Sequence, residues 1–130
     1  MIRMTRLLVV GMTAYLSVAA TLFVLQRSLM YFPDPRLPSV AGAGIPGLHQ
    51  QELNSGDGAK LTAWVVPPQN PLRPVFLYYH GNGGNHDVRS ARFRELVADG
   101  SGLFAVHYRG YGGSTDTPTE EGVHADAAAA

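Results

Sequence analysis

The sequence predicts an α/β protein in which an antiparallel hairpin leads into a parallel βαβ unit, the whole preceded by a hydrophobic helix. Three observations carry that expectation. Residues 7–25 hold no charge and are mostly apolar. The runs Val75-Phe76-Leu77-Tyr78-Tyr79 and Leu103-Phe104-Ala105-Val106 are short, continuous and apolar, the pattern of strands buried on both faces. Between them, residues 87–98 have helical spacing, with Phe93, Leu96 and Val97 on one face and Arg89, Arg92 and Glu95 left for water. Strand, helix and strand in that order imply a parallel pairing with a right-handed crossover.

Taken from the amino terminus, the uncharged run is close to the ~20 residues that span a bilayer as a helix. Arg3 and Arg6 precede it and Arg27 follows. The excess of positive charge at the amino terminus favours a single span with that terminus in the cytoplasm and the domain outside it. A cleaved signal peptide, with Leu7–Ser17 as its apolar region and Val18-Ala19-Ala20 as its cleavage site, is the rival reading. Against it, the apolar run continues through Leu22-Phe23-Val24-Leu25. The expected division is an anchor over 1–27, a linker over 28–47 and a domain over 48–130. The linker is read from the Pro, Gly and Ala content of residues 32–47.

Residues 49–53, a Gly56-Asp57-Gly58 turn and residues 61–66 read as a hairpin. Pro67, Pro68, Pro71 and Pro74 mark a loop before the first buried strand. Asn85 or Asp87 can cap the helix that follows, and Gly100 suits its end. A last helix begins near Pro118 or Thr119, and Ala127–Ala130 extends it by propensity.

Composition excludes several functions. The 130 residues carry ten basic and ten acidic side chains. Lys60 is the only lysine and the arginines form no stripe, so no nucleic-acid partner is expected. Without cysteine there is no disulfide, thiolate chemistry or Cys-based metal site. The run Gly110-Tyr111-Gly112-Gly113-Ser114-Thr115 lacks the third glycine of a dinucleotide fingerprint, and no Gly-Lys pair exists for a phosphate loop. His80, His86, Asp87, His107, His124 and Asp126 show no HExxH spacing; neither a metal nor any cofactor is expected.

The chemistry-bearing stretch is His80-Gly81-Asn82-Gly83-Gly84-Asn85, directly after the first apolar run. Its glycines allow a sharp turn and strip away side chains, so backbone N–H groups can face a ligand. A strand opening into such a turn and then a helix is how an oxyanion or phosphate cradle is built. The second apolar run opens likewise into His107-Tyr108-Arg109-Gly110-Tyr111-Gly112-Gly113-Ser114. On parallel sheets, ligands bind at the carboxyl ends of the strands, where both loops lie.

These segments, with Thr117-Pro118-Thr119-Glu120-Glu121-Gly122 and the upstream Gln26-Arg27-Ser28-Leu29-Met30-Tyr31-Phe32-Pro33, resemble the α/β-hydrolase superfamily, in particular its Bem46-like or serine aminopeptidase S33-type branch. The resemblance covers roughly residues 26–126. It implies the N-terminal part of an α/β-hydrolase sheet preceded by a transmembrane helix. It also implies a membrane-anchored serine hydrolase acting on an acyl ester, thioester or amide, with a lipid bilayer and a small acyl substrate as partners. On the family pattern Asn82 donates its backbone N–H to the oxyanion with Gly83 assisting, while His80, Gly81, Gly83, Arg109, Gly110, Gly112 and Ser114 are loop scaffold. His107 stands where the family commonly has Asp. Asp116 stands where it commonly has Gly, in a turn that needs positive φ.

No G-x-S-x-G occurs. Ser114 has Asp116 two residues on, and Ser101 has Asp99 two before. In this fold the order is Ser, acid, His, so the whole triad is expected beyond Ala130 and the segment alone is expected to be inactive. The family sheet order, 1-2-4-3-5, would leave Val75–Tyr79 with an open edge. The alternative is a non-enzymatic, membrane-anchored βαβ module that binds a ligand or partner through the two glycine loops.

Overall fold

The computed structural model describes residues 2–130, which form two units divided between Met30 and Tyr31. The first is a single helix, α1, Ile2–Met30. It is long and apolar enough to cross a membrane, and none of its apolar window is buried by protein. Its polar residues satisfy themselves locally: the Thr13 and Thr21 hydroxyls donate to the carbonyls of Val9 and Ser17, one turn back.

The second unit is built on a four-stranded sheet in the order β2-β3-β6-β4, from β2 (His49–Asn54), β3 (Lys60–Val66), β6 (Gly102–Val106) and β4 (Val75–Tyr79). The hairpin β2–β3 is antiparallel, with Leu53 opposite Leu61. Strand β6 runs antiparallel to β3 and parallel to β4, with Tyr79 opposite Val106. The crossover between β4 and β6 carries a 3-10 turn, Asp87–Arg89, and then α2, Ser90–Val97. The helix expected over 87–98 is thus α-helical only from Ser90. The Asn85 side chain accepts the Asp87 N–H, and the Gly100 N–H closes the other end on the Val97 carbonyl. Helix α3, Glu120–Ala129, is capped by the Thr119 hydroxyl, which accepts the Gly122 N–H.

The core lies between the sheet and α2. Trp64 of β3 is fully buried with Phe93 of α2, and their rings meet edge to face at 6.1 Å. Tyr78 of β4 meets Phe93 in the same way at 4.9 Å. Each such large side chain contributes about 1.5–3 kcal/mol by leaving water.

Three expectations are corrected. Of the segment 28–47, read as an extended linker, residues 28–30 belong to α1 and the rest packs on the second unit. Phe32–Pro33 forms a short strand, β1, parallel to β5, Gly83–Gly84. Further on, Ala43, Ile45 and Leu48 are buried in the Trp64 cluster, and Arg94 of α2 donates to the Ala43 carbonyl at 2.7 Å. Apolar burial without strand or helix period leaves no pattern to read in a Pro- and Gly-rich stretch. Second, β4 is not buried on both faces. Phe76 and Leu77 are 40% and 50% exposed, and β4 has the open edge expected of it, with β6 as its one neighbour among the described residues. Third, Arg89 does not face water: its guanidinium donates to the Gly83 and Asn85 carbonyls at 2.7 and 2.6 Å, beneath the glycine turn.

Candidate functional site

Both glycine loops lie at the carboxyl ends of the parallel strands, after Tyr79 of β4 and Val106 of β6. His80, the first residue past β4, is buried and its ring spans two backbones. Its Nδ1 faces the Gly81 carbonyl at 2.6 Å, and its Nε2 accepts the Tyr108 N–H at 3.2 Å. An acceptor at Nε2 and a carbonyl at Nδ1 define the neutral Nδ1–H tautomer. Burial, and secondarily the charge of Arg89, push its pKa down to about 4 despite that carbonyl.

The turn beyond is held at both of its first peptides. The Gly81 carbonyl is taken by His80. The Asn82 carbonyl accepts the Phe32 N–H at 2.9 Å and the Tyr111 hydroxyl at 2.8 Å. No peptide bond here is cis. In a trans peptide the N–H points opposite the carbonyl. The Asn82 N–H therefore points away from the His80 ring, and the Gly83 N–H away from Phe32 and Tyr111. Asn85 completes the turn by donating to the Asp34 carboxylate at 3.0 Å.

His107, where the family commonly has Asp, occupies the centre. Its Nε2 accepts the His86 N–H at 3.2 Å, and its Nδ1 lies 3.2 Å from the Thr62 hydroxyl. That hydroxyl donates its proton to the Gly112 carbonyl at 2.8 Å, so His107 must donate from Nδ1 and is neutral too. Burial first, then the neighbouring His80 ring and the charge of Arg89, hold its pKa down at about 3. His86 stacks on it with ring centroids 3.4 Å apart. Burial and the neighbouring His107 hold His86 neutral as well, against the opposing pull of the Val106 backbone. His80, His86 and His107 thus form one buried cluster. Among the described residues no group of His, Asp and Glu could hold a metal ion. In this cluster the Nε2 atoms of His80 and His107 are already taken by backbone N–H groups.

The second loop is tied to the hairpin turn and to α3 through Arg109. The Arg109 side chain is 8% exposed. It donates to Asp126 of α3 at 2.7 Å, to Asp57 of the hairpin turn at 2.8 Å, and to the Ser55 hydroxyl at 3.4 Å. Its own backbone N–H reaches Asp126 at 2.8 Å. The Arg109 charge holds the Asp57 carboxyl down at about 2. Gly110 bonds the Thr115 carbonyl through its N–H. Gly112 has φ +54, and a Cβ there would overlap the His107 ring. Ser114 is buried: its hydroxyl donates to the His107 carbonyl and accepts the Thr62 N–H, a structural role. Asp116 adopts φ +63, the conformation expected of it.

Sequence reasoning missed the groups that brace the turn from the side, Phe32, Asp34 and Tyr111, and Thr62, which braces the second loop through the Gly112 carbonyl. The one available signal was the Tyr31-Phe32-Pro33 junction, which carried the resemblance without a stated role. A cleft of about 600 Å³, lined by residues including Ile45, Val66, Arg94 and Val97, lies at the opposite ends of the strands, away from these loops.

No family model matches the chain. It is 31% identical over 125 residues to the uncharacterized protein Rv2307c of Mycobacterium tuberculosis, covering 94% of this chain and 44% of that one. It is 36% identical over 78 residues to protein bem46 of Schizosaccharomyces pombe, covering 58% of this chain and 26% of that protein. The α/β-hydrolase domain-containing protein WAV2 of Arabidopsis thaliana is 35% identical over 80 residues, with 60% and 26% covered. The chain therefore spans less than half the length of these relatives. Among solved structures, an α/β-hydrolase of Vibrio vulnificus aligns with TM-score 0.53 and 26% identity over 65% of this chain and 28% of its own. The Pyrococcus furiosus esterase Pf2001 aligns with TM-score 0.56 and 20% identity over 77% and 39%, which speaks for the fold. Antiparallel hairpin, parallel βαβ unit, the two glycine loops at the strand ends and these relatives agree: the chain belongs to the α/β-hydrolase superfamily and is Bem46-like.

Proposed function

We propose that the protein carrying this segment is a membrane-anchored serine hydrolase that cleaves an acyl ester, thioester or amide, with the Asn82 backbone N–H as one oxyanion donor. The observation that carries the reading is the doubly held turn. His80 takes the Gly81 carbonyl, while Phe32 and Tyr111 take the Asn82 carbonyl. A donor aimed in advance costs no reorganisation when negative charge develops on the substrate oxygen. The esterase name of one structural neighbour supports hydrolysis of an ester. No G-x-S-x-G occurs in these 130 residues, so the nucleophile, its acid and its histidine are proposed to come from outside them. Helix α1 supports anchoring, and Arg3 and Arg6 ahead of its uncharged run support placing the domain outside the cytoplasm.

The test uses the full-length protein. A fluorophosphonate probe labels one serine, outside residues 1–130, and p-nitrophenyl acetate is hydrolysed. Asn82→Pro, which has no N–H, lowers kcat by roughly 10²–10³, as loss of one oxyanion donor does. Circular dichroism verifies that the variant folds. A folded variant with unchanged turnover removes Asn82 from the site. Absence of labelling and of turnover in the parent protein favours a non-enzymatic module that binds through the same loops.

A further inference from the structure

The chain has four asparagines, and they precede Ser55, Pro71, Gly83 and His86. An asparagine loses its side-chain amide when the next backbone nitrogen attacks its Cγ. The attack needs a removable N–H proton, room around that nitrogen, and a place for the negative charge left behind.

Three of the four positions lack one of these. Pro71 has no N–H. The Ser55 N–H donates to the Ala59 carbonyl at 2.8 Å. The His86 N–H donates to His107 Nε2 at 3.2 Å, and the Asn85 side chain is tied to Asp34 on one side and Asp87 on the other. Gly83 differs. It has no Cβ to crowd the nitrogen. In the parallel pair Phe32–Gly83 it is Phe32 that donates to the neighbouring strand, so the Gly83 N–H stays outside the ladder.

The Asn82–Gly83 peptide is also primed to carry charge. Removing the Gly83 proton spreads a negative charge over that nitrogen and the Asn82 carbonyl oxygen, because the amide is conjugated. The oxygen already accepts the Phe32 N–H at 2.9 Å and the Tyr111 hydroxyl at 2.8 Å. Donors aimed at the charged form favour it and so acidify the Gly83 N–H. The Arg89 guanidinium, bonded to the Gly83 carbonyl at 2.7 Å, adds a positive charge one peptide further on.

We propose that Asn82 is a self-modification site at which the fold promotes loss of the side-chain amide. Hydroxide removes the Gly83 N–H proton. The Gly83 nitrogen bonds to Asn82 Cγ, the Cγ–Nδ2 bond breaks, and the amide nitrogen leaves as ammonia with a proton from water. Water then opens the five-membered imide at either carbonyl, leaving aspartate or isoaspartate. Both products put a carboxylate on the glycine turn, and isoaspartate lengthens its backbone by one methylene. The modification needs no catalytic serine. Its consequence for activity rests on the hydrolase reading above: a negative charge at position 82 opposes the charge developing on a substrate oxygen, so turnover falls as the protein ages.

The experiment holds the full-length protein at pH 8.5, folded or in urea, and follows its peptides by mass spectrometry. The peptide carrying residue 82 should gain one mass unit, passing through a form lighter by one ammonia, and become a substrate for an isoaspartyl methyltransferase. Asn54 and Asn85 should stay intact over the same time. Tyr111→Phe keeps the ring and loses the donor. It should slow the folded protein about tenfold, as loss of one hydrogen bond to a charged group does, and change nothing in urea. Gly83→Ala, whose Cβ would lie 3.9 Å from that of Phe32, should fold and be slower in both states. Equal rates in the folded parent and folded Tyr111→Phe, or amide loss at Asn82 in urea alone, overturns the proposal. If Tyr111→Phe does not fold, the parent decides: a rate when folded at or above that in urea supports the proposal, and a lower one overturns it. Hydrolysis of p-nitrophenyl acetate should fall in step with the modified fraction. Amide loss with turnover unchanged upholds the modification and removes Asn82 from the oxyanion site. Amide loss in a protein that never hydrolyses the ester or takes the fluorophosphonate label upholds the modification and overturns the hydrolase reading.

Discussion

Acidification should unfold this domain well before its carboxylates titrate. His80, His86 and His107 are buried as neutral rings, all with pKa below the usual histidine value. In the unfolded chain each returns to about 6.5. Below that pH the unfolded state binds more protons than the native one, so stability rises with pH through this range. Their contribution is complete above about pH 6.5 and is lost progressively as pH falls below it. At pH 5.5 each histidine costs about RT ln 11, roughly 1.4 kcal/mol, and the three together cost about 4 kcal/mol. Native protonation does not relieve this until near pH 4 for His80 and pH 3 for His107. The geometry gives the same sign: a proton on Nε2 of His80 or His107 would break the bond that the Tyr108 or His86 N–H donates there. The assay is urea unfolding at pH 7.5, 6.5 and 5.5. His86→Phe is the informative variant. It keeps an aromatic ring stacked on His107 and removes the titrating group. It should reduce the acid loss by about a third, and be at least as stable as the parent at pH 7.5. A parent whose stability changes by less than about 1 kcal/mol between pH 7.5 and 5.5 would refute the reasoning.

Other outcomes follow from the scaffold. Asp126→Ala removes one of the two carboxylates on the buried Arg109 guanidinium, with Asp57 still paired to it, and should cost about 1–3 kcal/mol in urea unfolding, as unsatisfied buried donors do; an unchanged stability would mean that water or Asp57 satisfies the freed donors. Gly112→Ala drives a methyl into the His107 ring at positive φ and should abolish soluble expression, whereas Gly81→Ala, with open space around it, should be tolerated. A reporter active only outside the cytoplasm, fused after Ala130, should be active and membrane-bound; silence, or a soluble product beginning at Thr21, would remove the retained anchor.

Local patterns in the chain specified the architecture. Val75–Tyr79 and Leu103–Val106 announce strands by continuous apolar character, residues 87–98 a helix by period, and Gly81, Gly83 and Gly84 a turn whose backbone is bare. Those features depend on neighbours a few residues apart, so they are written linearly. The resemblance added which N–H of the turn to name. What the linear pattern does not carry is partnership across distance. Phe32 meets Asn82 across 50 residues, Arg109 meets Asp57 across 52, and Thr62 meets His107 across 45. Backbone donors such as the Phe32 N–H have no residue signature at all, which is why residues 28–47 read as linker. The histidine cluster has the same origin. His80, His86 and His107 are unremarkable apart; the parallel pairing of β4 with β6 brings their strand ends together, and burial there sets their charge.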